Sequence, residues 1–222
     1  RSSPIFRLLI QFAIAFAVSL CGINISNLSL NLPFLGQIFF TLPIFWSHLV
    51  TCFWIVGLTN AINWLDGLDG LASGYGFFVS TALLISSALL GNTAGIIFFS
   101  ILSGSIIGFL MRNIKPAFYI MGDCGSYFIG FCLSLGSIYF PSNAYTNSLP
   151  ILFLFILFSL PILDMMTVML LRIYGKKNPL KPDKNHLHHR MIRAYIPYKY
   201  IISLIYGFSF LSTMLATVFL EY

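Results

Sequence analysis

Six acidic residues in a chain of 222 are few enough to weigh singly. Asp66, Asp69, Asp123 and Asp183 fall in polar breaks between long apolar runs, Asp164 lies inside one such run, and Glu221 stands near the end. The stretch Asn60-Ala-Ile-Asn63-Trp-Leu-Asp66-Gly-Leu-Asp69-Gly sets a polar side chain at every third position, which a helical or tighter turn lays out as one stripe. Two amides and two carboxylates on a stripe can hold a hydrated Mg²⁺ or hydrogen-bond a polar ligand, because hard cations take oxygen donors. An ordinary cap and turn is the plainer alternative, but capping needs one such residue rather than four.

Two further clusters carry complementary chemistry. Arg112-Asn113-Ile-Lys115-Pro116-Ala117 leads through Gly122-Asp123-Cys124-Gly125-Ser126 into an apolar run. Glycines flanking Asp123 allow a ligand to approach closely, and the start of the following helix offers free N–H groups to an anion. Phosphate with a metal ion suits that setting; a simple Gly-Asp-x-Gly-Ser turn is the alternative. The third cluster crowds Lys176, Lys177, Lys181, Asp183, Lys184, His186, His188, His189, Arg190 and Arg193 together. His-x-His-His is not the His-Glu-x-x-His of a zinc protease, and no Glu stands by as base. Imidazoles among cations can bond phosphate oxygens and offset charge developing in a phosphoryl transfer. A basic patch on anionic lipid would explain the lysines but not the histidines. Asp164, ~12 Å in from Arg172 along a regular helix, reads as a support residue or as a protonated, hydrogen-bonded carboxyl. His48 reads as a packed or interfacial histidine.

The elements that position these residues belong to a membrane protein. With 58% hydrophobic and 8% charged residues and a mean hydropathy of +0.90, the chain lacks the polar surface to cover a water-soluble globule. Apolar runs over 8–25, 34–58, 71–90, 94–111, 127–140, 149–171 and 200–220 predict an all-α, polytopic transmembrane bundle of about seven spans. The whole of 1–222 then reads as one integral membrane domain, with 172–199 a cytoplasmic loop rich in bases and histidine. Arg1, Arg7, Arg112, Lys115 and the eight cations between Arg172 and Lys199 all fall on one side, which the positive-inside rule makes cytoplasmic. The net charge of +6 therefore speaks of orientation, and no nucleic acid partner follows from it. Cys21, Cys52, Cys124 and Cys132 form no CxxC pair and are expected to be free thiols. Arg1 is not followed by a short apolar region with a cleavage site, so no secretory signal is expected within this sequence.

In combination and order, these stretches resemble the polyprenyl-phosphate N-acetylhexosamine-1-phosphate transferases. The resemblance rests on Asn60-x-x-Asn63-x-x-Asp66-Gly-x-Asp69-Gly-Leu-Ala, on Pro116-Ala117 through Gly122-Asp123-x-Gly125-Ser126, on Pro161-x-x-Asp164, and on Asp183-x-x-His186-Leu-His188-His189-Arg190. It covers nearly the whole chain. The His-Leu-His-His form is similar to the branch using UDP-GlcNAc and related UDP-HexNAc donors, rather than the branch that transfers phospho-MurNAc-pentapeptide. The resemblance implies attack of a polyprenyl-phosphate oxygen on the β-phosphorus of a UDP-sugar, giving a polyprenyl-diphospho-sugar and UMP. It implies Mg²⁺, or Mn²⁺ in its place, on Asn63 and Asp123, with Asp66 close to the reacting phosphates. It assigns uridine to Asp69 and Asn113, the diphosphate and amino sugar to His186, His188, His189 and Arg190, and support to Asn60 and Asp164. A bacterial inner-membrane location, membrane lipid as surroundings and a homodimer are implied as well. The sequence departs from the family at Ile120, where an aromatic that stacks on the base is common; Tyr119 or Phe118 would substitute. It also lacks the family's Asp-Asp pair, expected just upstream of Arg1 with earlier spans, so the chain is expected to be a fragment. Two readings from other classes are an ion- or proton-coupled transporter using Asp164 and a non-catalytic membrane remnant.

Overall fold

The structure, a computed structural model, describes residues 3–32, 36–140, 149–176 and 185–221. The elements run α1 (Pro4–Leu20), β1 (Asn27–Leu32), β2 (Gly36–Thr41), α2 (Ile44–Leu65), α3 (Leu71–Leu89), α4 (Thr93–Asn113), α5 (Gly122–Tyr139), β3 (Leu149–Pro150), α6 (Ile151–Leu157), α7 (Ser159–Tyr174), α8 (Leu187–Arg193) and α9 (Tyr198–Glu221). Helices dominate because a chain this apolar must satisfy its backbone internally wherever water is absent. Ser3 starts α1 by accepting from the Phe6 N–H at 3.2 Å, ahead of Pro4 at the first helical position. Asn92 caps α4 in the same way, accepting from Gly95 N–H at 3.0 Å.

The predicted bundle is present, with three corrections. Among the described residues α2, α3, α4 and α9 are each long and apolar enough to cross a membrane, and the bent α6–α7 pair makes up to a fifth span. Helices occupy all seven expected places, but neither α1, only 17 residues long, nor α5 is among the helices long and apolar enough to cross, so the described residues reach at most five of the seven expected crossings. The second expected span starts ten residues late, because 36–41 form β2 instead of helix. β2 pairs antiparallel with β1, which pairs in parallel with the short β3, so the fold is not purely helical. Finally, α6 and α7 meet at a 73° bend. Pro161 has no N–H to give the Leu157 carbonyl, and the buried Tyr75 hydroxyl donates to that carbonyl instead, at 3.3 Å.

Packing is centred on α3, flanked by α4 and α9, and on the α2–α5 pair, against which α1 and α7 lie. Ile62, Leu65, Leu71, Tyr75, Val79 and Leu133 form the fully buried heart. Small residues let the helices close: a Cβ on Gly130 of α5 would sit 2.9 Å from the Thr59 Cα of α2. All four cysteines are free thiols.

Candidate functional site

The site is assembled where chain direction brings helix ends together. α2, α4 and α7 finish at the end of the bundle where α1, α3, α5 and α9 begin, as the contacts among their terminal side chains show. α2 stops at Leu65, so the polar stripe does not continue as one helix face. Asn60 turns to α1, donating to Gln11 Oε1 at 2.7 Å and to the Val56 carbonyl at 2.8 Å, and takes no part in the cluster beyond holding α1 against α2.

Asn63 does reach α5. Its amide nitrogen donates to Ser126 Oγ at 2.8 Å and lies 3.4 Å from Asp123 Oδ1. Asp123, in the first turn of α5, is 68% exposed and pairs through Oδ2 with Arg7 Nη1 at 2.9 Å. Arg7 was legible from sequence only as an orientation charge. Its signal was its place in the first turn of an apolar helix, where a lone cation needs a partner.

Asp66 follows the last residue of α2. Burial, then the nearby Asp123 and to a lesser degree Asp69, push its pKa up to about 6, against a partly compensating Gly122 N–H bond. Asp69 Oδ2 accepts from Ala117 N–H at 3.4 Å, and the Tyr198 hydroxyl donates to the Asp69 carbonyl. Asn113 is buried, and protein groups occupy both ends of its amide. Its Oδ1 accepts from Gly70 N–H at 3.0 Å and Ser73 Oγ at 2.7 Å, and its Nδ2 donates to the Tyr119 carbonyl at 2.8 Å. The side chain thereby fixes the turn between α2 and α3 to the loop that presents Phe118, Tyr119 and Ile120, all strongly exposed.

The histidine cluster closes the other side. Asp164 of α7 accepts from Leu187 N–H at 2.6 Å, and its second oxygen lies 2.8 Å from His186 Nδ1, both side chains being buried. The His186 ring lies 5.3 Å from Trp64 of α2, over which the Arg172 guanidinium sits at 5.5 Å. His188 stacks parallel to His186, contacts His189 and presses on Gly67, where a Cβ would stand 2.0 Å from Nε2. It is 1% exposed, and neither ring nitrogen has a hydrogen-bond partner among the described residues. Burial first, then His189 and His186, lower its pKa to about 4, so the ring is neutral near pH 7 and offers one donor and one acceptor. Arg190 lines a cavity of about 320 Å³ between α7, α8 and α9, its Nε buried without a hydrogen-bond partner among the described residues. Asp183, Lys177, Lys181 and Lys184 lie outside the described residues.

Among the described residues no three His, Cys, Asp or Glu side chains gather into a cage for a metal ion. Mg²⁺ does not require one, since it keeps several waters and takes one or two carboxylates. An amide beside Asp123, with Asp66 driven toward its protonated form by burial first and then by the neighbouring acids, is a donor set in which a divalent cation would offset the repulsion between carboxylates.

Fold and site define a polytopic helical membrane protein that collects acids, imidazoles and cations at one end of its bundle. Residues 1–141 match the family described as Glycosyl transferase family 4, and the chain belongs to that family. It is 33% identical to the probable undecaprenyl-phosphate N-acetylglucosaminyl 1-phosphate transferase of Bacillus subtilis, over 96% of this chain and 58% of the relative. The undecaprenyl-phosphate alpha-N-acetylglucosaminyl 1-phosphate transferase of Thermotoga maritima is 35% identical over 73% of this chain and 48% of its own length. A phospho-N-acetylmuramoyl-pentapeptide-transferase of Staphylococcus aureus is also 35% identical, over 77% and 50%. The chain thus spans about half the length of the relatives it matches.

Proposed function

We propose that the protein to which this chain belongs transfers a HexNAc-1-phosphate, GlcNAc-1-phosphate or a close relative, from a UDP-sugar to polyprenyl phosphate and releases UMP. The observation that carries the reading is the meeting of Asn63 and Asp66, at the end of α2, with Asp123 of α5, beside the His188 ring on Gly67, whose nitrogens have no partner among the described residues. Its family membership and the names of its relatives support the same chemistry.

Two anions must meet for this reaction, so positioning and charge compensation carry most of the catalysis. Asn63 and Asp123 would hold Mg²⁺, or Mn²⁺ in its place; a bound divalent ion supplies charge compensation at the phosphates. Asp66 stands beside Asp123, close to where the phosphates would react. Neutral His188 donates to or accepts from the diphosphate and amino sugar without the desolvation cost of a charged ring, and Arg190 adds a fixed positive charge from the same short helix. Asp69 and the loop that Asn113 shapes would hold uridine, with Phe118 or Tyr119 as the stacking surface. For the acceptor, a cavity of about 370 Å³ between α1, α2 and α5 is lined by Ile10, Ile14, Ile55, Val56 and Phe131 and ends at Arg7. A prenyl chain fits such a lining, and Arg7 at its end suits the phosphate. The site faces the cytoplasm of a bacterial inner membrane, supported by Arg7, Arg112, Lys115, Arg172 and Arg190 standing at this one end.

The test is a membrane assay of the full-length protein with radiolabelled UDP-GlcNAc, polyprenyl phosphate and Mg²⁺. A lipid-linked labelled product and stoichiometric UMP are expected, both abolished by Asp123→Asn. No product from any UDP-HexNAc with the unsubstituted protein overturns the reading.

A further inference from the structure

The far end of the bundle carries a surface that the proposed reaction does not use. β2 exposes all six of its residues, so Ile38 and Phe40 on one face and Phe39 on the other are all uncovered, at 43, 47 and 52%. Successive strand residues point to opposite faces, so exposed apolar side chains stand on both, with Phe39 sharing its face with Gln37 and Thr41. Two residues beyond it, the first turn of α2 continues the surface with Ile44, Phe45 and Trp46, each more than half exposed. No charged residue occurs between Arg7 and Asp66.

Two physical constraints fix what can surround such a strand. Water around the strand would leave Ile38, Phe39 and Phe40 exposed together with Ile44, Phe45 and Trp46, an apolar patch that soluble surfaces avoid. Immersion in the hydrocarbon core does not suit it either, because among the described residues β2 is the edge strand of its sheet, and an open sheet edge is not stable in lipid. Only the headgroup boundary meets both demands, with acyl chains for the rings and water or ester groups for the open edge. The surface is continuous with α2, a span whose lipid-facing side begins at these same aromatics, and aromatic residues collect at that level of a bilayer. We infer that β2 and the first turn of α2 form an interfacial anchor in the leaflet opposite the candidate site, with bilayer lipid, not a protein partner, as occupant. The anchor holds the depth of α2 and of α1 packed on it, and these two helices deliver Asn63 and Arg7 to the other end.

Spin labels attached singly at Ile38→Cys, Phe39→Cys, Phe40→Cys and Tyr195→Cys, in a Cys21→Ser, Cys124→Ser background, test this in phosphatidylcholine–phosphatidylglycerol vesicles. All three strand positions should favour oxygen over an aqueous nickel chelate severalfold more strongly than the label at the fully exposed Tyr195 does, at a depth within ~10 Å of the phosphates. Nickel accessibility at any strand position equal to that at Tyr195 overturns the anchor. So does shielding from both reagents, or dipolar broadening between labels of two chains, since either places protein on the strand. The readout needs no catalytic activity, so its failure is independent of the proposed reaction.

Discussion

Gly67 shows how closely single atoms are set in this site. A methyl group there would stand 2.0 Å from His188 Nε2, and the imidazole has nowhere to retreat because its ring is stacked on His186 and against His189. Gly67→Ala should therefore displace His188 by an ångström or more and lower turnover on the order of 100-fold, the usual cost of misplacement on that scale. The substitution should cost little more once His188→Ala has emptied the space, so a double-mutant cycle of UMP release checks the contact directly; additive losses would disprove it. Asp66 gives a second prediction. Its native carboxyl keeps a proton up to about 6, whereas the unfolded one ionises near 3.8. The native state thus binds more protons across that window, and this residue's contribution makes metal-free stability fall as pH rises through it. Asp66→Asn removes the penalty, so its Tm in detergent should exceed that of the unsubstituted protein at about pH 7, with the gap closing below about pH 4. A gap that widens on acidification would refute the assignment.

At the scale of elements, α8 has only seven residues and cannot hold its place by helix propensity. Asp164 does that work from α7, binding the Leu187 N–H and the His186 ring with separate oxygens, while Trp64 and Arg172 complete the contact to α2. With both oxygens engaged in this way, Asp164 is placed to support the histidine helix. Truncation to Asp164→Ala leaves a buried imidazole and a backbone N–H unpaired and should cost about 2–5 kcal/mol. Asp164→Asn keeps an acceptor for Leu187 and should cost less. Thermal melting together with hydrogen exchange at the Leu187 amide measures both, and an Ala variant that melts and exchanges like the unsubstituted protein would show that α8 is held by other means.

Over the whole molecule, hydropathy located the spans because each helix must bury or immerse a long apolar surface, yet the same signal misread 36–41. A short apolar run cannot by itself separate strand from helix, and here Pro33, Gly36 and Pro43 were the punctuation that mattered. Pro161 announced a weakness in the sixth run, but its 73° bend depends on Tyr75, eighty-two positions away in the hydrogen bond that caps Leu157. The acids and histidines were visible as motifs; that Asn113 spends its amide on Gly70, Ser73 and Tyr119, and that Arg7 meets Asp123, are facts of packing that spacing does not encode. What spacing did encode was the placing of the cations, since the described helix ends that carry Arg or Lys turn up at one end of the bundle. Two thiols can test that across a membrane. Cys124 is exposed next to Asp123, and Thr93 is exposed at the start of α4, at the opposite end of that helix from Asn113. With Cys21→Ser in the background, a membrane-impermeant maleimide should label Cys124 in inverted vesicles but not in intact spheroplasts, and Thr93→Cys in the reverse pattern. UDP-GlcNAc with Mg²⁺ should slow the Cys124 reaction and leave position 93 unaffected. Labelling of both thiols from the same side would break the one-sided arrangement on which the proposed meeting of nucleotide sugar and lipid phosphate depends.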